Sequence, residues 1–143
     1  MFQTFDHTAD LGLRIQAADL DTLFAEAGQA LFSAIVEDLG SVQPAETLEV
    51  NLAGNDLVYL LFDWLNELLY RWDAEHKLFS RFEVKFEPAS PGAKDRKLIA
   101  TARGEVLDRD RHVLSHEVKA ITYHGLVVEP TEAGWQAEVI VDI

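Results

Sequence analysis

The chain has 143 residues, 48% of them hydrophobic, with 25 acidic against 12 basic side chains and a formal net charge of −13. That length predicts one domain spanning 1–143, and the absence of cysteine excludes disulfides, thiolate metal sites and cysteine nucleophiles. A surface so acidic repels a phosphate backbone, which argues against direct high-affinity nucleic-acid binding; docking onto a basic enzyme and a plain role in solubility both stay open.

Met1 to Asp6 is predicted as a short first strand, with Thr8-Ala9-Asp10 as a bend. Leu11, Leu13 and Ile15 then alternate with Gly12, Arg14 and Gln16, the period of a half-buried strand. Asp19 or Asp21 can cap a helix whose stripe runs Leu20, Leu23, Phe24, Ala27, Leu31, Ile35, with Gly40 as its expected stop. Leu48, Val50 and Leu52 predict a strand closed by Gly54-Asn55.

A second helix is expected from Asp56 to His76, its apolar face built from Leu57, Leu60, Leu61, Trp64, Leu65, Leu68 and Trp72. Asp63, Asn66 and Glu67 interrupt that stretch, so it is too polar to span a bilayer. Strands follow around Phe82–Phe86, Leu98–Val106, Val118–Val128 and Trp135–Val141, with Pro88–Gly92 as an exposed hairpin loop and Glu132–Gly134 as a turn. Helices without regular strand–helix alternation imply an α+β fold, a two-layer sandwich with two helices packed on one face of a largely antiparallel sheet. No basic-then-apolar leader opens the chain, and with no cysteine a cytoplasmic location is expected.

Chemistry concentrates in few places. If the first strands lie beside the last, Asp10, Asp142 and the main-chain carboxylate at Ile143 gather hard oxygen donors suited to Ca²⁺ or Mg²⁺. On the residues alone the plainer reading, a turn cap at Asp10 and a solvated tail at Asp142, is the favoured one. Glu117–His124 forms a second constellation, in which Lys119 could meet a phosphate or pair with a neighbouring carboxylate. His124 and His7 could each be a ligand, an acid–base group or a hydrogen-bonded structural histidine. His112 and His116 stand four apart, but the Asp108-Arg109-Asp110-Arg111 run argues for a loop rather than a zinc-bearing helix. No phosphate-binding glycine loop, nucleophile elbow or dinucleotide fingerprint is present.

Phe5-Asp6-His7-Thr8-Ala9-Asp10-Leu11-Gly12, Asn66-Glu67-Leu68-Leu69, Lys119-Ala120-Ile121-Thr122-Tyr123-His124 and Asp142-Ile143 together resemble the archease family from end to end. Two departures are small: Asp6 stands where many relatives carry Glu, and the Pro88–Arg96 loop is somewhat long. The resemblance implies a protein that is not itself an enzyme but activates an RtcB-type RNA-splicing ligase in tRNA processing. It would promote the ligase's GTP-dependent guanylation and multiple turnover, with GTP reaching it only through the ligase. The family's metal site falls on Asp10, Asp142 and the main-chain oxygen of Ile143, holding a divalent cation, calcium first, with magnesium or manganese as alternatives. Lys119 matches a functional lysine of the family, and His124 in the same motif and His7 in the first motif are further candidates for contact with the partner. A chaperone-like binder and a stand-alone metal-dependent hydrolase are the competing readings, the first disfavoured because the large residues fall in periodic core patterns.

Overall fold

The first helix, α1 (Leu20–Ile35), starts at Asp19. The Asp19 side chain accepts a hydrogen bond from the Thr22 N–H at 2.8 Å, satisfying a first-turn donor, and that bond holds its carboxyl below the usual range. The helix stops at Ile35, short of Gly40, because Val36 turns to extended backbone and bridges to Leu114. No glycine cap is needed there. The Ser115 and His116 N–H groups reach the Ile35 and Ala34 carbonyls at 2.8 and 2.9 Å, giving last-turn acceptors their partners. Gly40 lies instead in a short 3-10 turn, Leu39–Ser41.

The second helix, α2 (Leu57–Glu75), matches its prediction closely. Asp56 caps it by accepting from the Val58 N–H at 2.8 Å, and His76 ends it in the left-handed conformation at φ 56°. Trp64 is fully buried, and its indole N–H donates to the Phe24 carbonyl at 2.9 Å, tying α2 to α1.

The computed structural model describes residues 1–7, 10–87, 91–92 and 94–143, and of Asp6 and His7 the backbone alone. The predicted bend at Thr8-Ala9 and most of the predicted Pro88–Gly92 loop fall outside the described residues. Strands β1 (Phe2–His7), β2 (Asp10–Ala17), β3 (Glu46–Gly54), β4 (Lys77–Phe86), β5 (Arg96–Val106), β6 (Ala120–Thr131) and β7 (Gly134–Asp142) complete the order. They pair antiparallel in two sheets, ordered β1-β2-β7-β6 and β3-β5-β4.

The α+β class with two helices and antiparallel strands therefore holds, while the strands divide between two sheets where periodicity suggested one. The helix pair accounts for the division. Nine of the sixteen α1 residues are buried, so that helix cannot leave one side in solvent. It packs on β2 and β4, while α2 packs on β6 and β3, so each helix lies against both sheets. Phe24, Phe32, Phe79, Phe82 and Trp64 form the aromatic centre between them, with the Phe32 and Phe79 rings edge-on at 5.6 Å. Among the described residues, no helix is long and apolar enough to cross a membrane.

Candidate functional site

Strand β2 lies between β1 and β7, so chain segments more than a hundred residues apart meet at one end of the sheet. Register sets His7 opposite Asp10, Asp10 opposite Asp142, and Asp142 opposite Ala120. Directly opposed residues of an antiparallel pair share a face, with Cβ atoms about 4.5–5.5 Å apart. Leu11, Leu13, Ile15, Val139 and Val141 are buried against the helices. Asp10 and Asp142 alternate with them and occupy the opposite face, both half-buried.

Along that outer face two polar pairs are joined by side-chain hydrogen bonds. Arg14 Nε donates to Glu138 at 2.8 Å, and Gln16 donates to Gln136 at 2.8 Å. Gly12 faces Ile140. Asp10 and Asp142 set two carboxylates opposite each other in this row, an arrangement that costs free energy unless a proton, a donor or a cation lies between.

Gly12 is required by what covers it. A Cβ there would lie 2.2 Å from the Phe5 ring, which crosses from β1 over the glycine and receives the Arg14 guanidinium at 4.9 Å. The ring and its cation form a lid on the strand next to Asp10. Periodicity alone does not reveal this contact, because Phe5 and Gly12 meet only once the β1–β2 register is fixed.

The other predicted residues take different positions. The Lys119 N–H donates to the Asp142 carbonyl at 2.7 Å, which ties the backbone before β6 to the end of β7, and the lysine is exposed. Ile143 follows directly and packs, half-buried, against the core. His124 is exposed on an irregular stretch of β6, where pairing jumps from Thr122–Ile140 to Val127–Glu138 and Gly125 takes φ 77°; the register does not bring it into the Asp10 row. His7 is in that row by its backbone, and its side chain lies outside the described residues.

His112 and His116 sit in the β5–β6 loop. His112 is buried: its Nδ1 accepts the Asp108 N–H at 2.9 Å and its Nε2 lies 3.1 Å from Glu105, a structural pairing that leaves no metal-binding nitrogen. Among the described residues no three His, Asp or Glu side chains converge as a ready metal cage. The register does set two carboxylates, Asp10 and Asp142, opposite each other. That all-oxygen donor set suits a hard divalent ion.

A sequence model of the Archease protein family (MTH1598/TM1083) matches residues 2–143. The chain is 43% identical over 142 residues to the protein archease of Methanopyrus kandleri, covering 99% of each. To that of Pyrococcus abyssi it is 41% identical over 143 residues, covering 99% of this chain and 98% of the relative. The solution structure of Methanobacterium thermoautotrophicum protein 1598 superposes with a TM-score of 0.86 at 37% identity, covering 99% of this chain and 98% of that one. With matching that runs through both termini and both sheets, this chain belongs to the archease family.

Proposed function

We propose that this chain is a protein cofactor of an RtcB-type RNA-splicing ligase, promoting the ligase's GTP-dependent guanylation and multiple turnover without catalysing a reaction itself. Family membership supports the class of activity. The observation that carries the site is the register that sets the Asp10 and Asp142 carboxylates opposite each other at one end of the sheet.

Asp10 and Asp142 would hold a divalent cation, calcium first, with the main-chain oxygen of Ile143 as a further ligand. Such an ion supplies positive charge to phosphate oxygens. The chain's own part is to fix the two carboxylates by strand register and to keep the Phe5 ring over Gly12 beside them. The bond from the Lys119 N–H to Asp142 sets where the lysine side chain leaves the sheet, close enough to meet a phosphate or an acidic group of the partner. The net charge of −13 favours approach to an RNA-binding, and therefore basic, enzyme of the cytoplasm.

The test is multiple-turnover RNA ligation by the cognate ligase with GTP and Mn²⁺, with this protein at substoichiometric amounts. Wild type is expected to raise turnover, while folded Asp10→Asn and Asp142→Asn leave it at the level of ligase alone. Full stimulation by both variants would sink the metal-bearing tip.

A further inference from the structure

Two accessible aromatic rings of this protein each carry one of the chain's own arginines. Arg14 lies over Phe5 at 4.9 Å, and Arg71 lies over Tyr70 at 5.7 Å. Tyr59 of α2 and Tyr123 of β6 differ. Their rings stack at 5.2 Å with an interplanar angle of 22°, and Phe62 meets Tyr123 edge-on at 5.6 Å. Both tyrosines are nonetheless about half exposed, at 53% and 46%. Among the described residues no guanidinium or ammonium of the chain covers this pair.

Carboxylates border it. Asp63 is exposed four residues after Tyr59, on the same ridge of α2. Asp56, the α2 cap, is near enough to help raise the Tyr123 phenol above its ordinary value, behind the larger effects of the Tyr59 hydroxyl and of desolvation. An open aromatic face with an acid at its edge selects for a planar cation. A guanidinium stacks on the ring and directs its N–H fork to the carboxylate, whereas a hydrated ammonium uses that geometry less well.

We propose that the Tyr59–Tyr123 pair and Asp63 form a docking slot for an arginine on a basic surface of the partner ligase. This rests on the ligase reading above and names a contact distinct from the acidic pair. Tyr123 lies four residues beyond Lys119, so one short segment would carry both the docking ring and the lysine beside Asp142. Packing of Tyr123 against α2 through Tyr59 and Phe62 fixes that segment before the partner arrives, which limits the ordering cost of association. The arginine would occupy in trans the place that Arg14 and Arg71 take over Phe5 and Tyr70.

Binding of the full-length protein to its cognate ligase, measured by calorimetry alongside ligation turnover, tests the slot. Tyr59→Ala and Asp63→Asn are each expected to weaken binding by about tenfold. Tyr59→Phe, which keeps the ring face, is expected to bind as wild type. Because the slot docks rather than reacts, saturating amounts of either weakened variant should restore full turnover. Asp63 is exposed on the helix surface, so Asp63→Asn tests the slot even if Tyr59→Ala disturbs packing. Unchanged affinity in both variants, with wild type stimulating normally, overturns the slot and leaves the ligase reading intact. Equal losses from Tyr59→Ala and Tyr59→Phe would assign the contact to the hydroxyl and also overturn it. A wild-type protein that neither binds nor stimulates overturns both readings.

Discussion

Asp142 stands opposite Asp10, carboxylate to carboxylate, in a ladder that also pairs Arg14 with Glu138. Asp142→Asn should stabilise the metal-free protein by about 0.2–1 kcal/mol, the range of a directly opposed cross-strand pair. It should also abolish the response to calcium. Wild type is expected to gain about 2.7 kcal/mol at a hundredfold excess over the dissociation constant. Thermal unfolding in chelator and in Ca²⁺ checks both parts, and a variant that keeps the calcium response would remove Asp142 from the site. Gly12 gives a second residue-level prediction. Gly12→Ala places a methyl group inside the Phe5 ring, so the ring must leave its place beneath Arg14. A loss of about 1–3 kcal/mol in urea unfolding is expected, as for overpacked sites. Asp10 and Asp142 were legible in the sequence because each sits at the end of an alternating run. The cover over Gly12 was not legible, because it depends on pairing with β1.

The loop joining β5 to β6 is the element that delivers Lys119, and it is anchored at both ends. Near its start, Glu105 accepts from Arg111 at 2.5 and 3.0 Å, from the Gln43 N–H at 2.7 Å, and faces His112. Its later part bonds to the α1 carbonyls. The Arg111 guanidinium, then the Gln43 and His112 bonds, hold the Glu105 carboxyl at about 2 against an ordinary 4.5, despite its partial burial. A carboxylate lowered in the folded state contributes stability that is fully present above its unfolded value and is lost as pH falls toward 2. Glu105→Gln is therefore expected to cost about 2–3 kcal/mol at pH 7, with the gap from wild type closing between pH 5 and pH 2. Denaturant unfolding across that range decides it, and a gap that stays constant would mean the carboxylate's charge is not what holds the loop. Both helices were legible because capping aspartates and apolar stripes are local signals. The end of α1 and the partition into two sheets were not, since a distant loop caps the helix and β2 finds β7 from across the chain.

At the scale of the whole molecule, the charge of −13 and the Tyr59–Tyr123 slot act on different stages of association. Net charge acts at long range through a screening length that falls from about 30 Å at 0.01 M salt to about 8 Å at 0.15 M. It should govern how fast the protein meets a basic ligase and contribute little to how long the complex lasts. The slot acts only on contact, so losing it should shorten the lifetime of the complex. Raising salt across that interval is expected to slow association of wild type by about tenfold and to alter dissociation much less. Tyr59→Ala should show the reverse, with association near wild type at each salt and faster dissociation. Surface plasmon resonance with the immobilised ligase separates the two rates in one experiment. Association that is flat with salt would mean the acidic surface serves solubility alone. Equal loss of both rates in Tyr59→Ala would place that ring in the encounter rather than in the final contact.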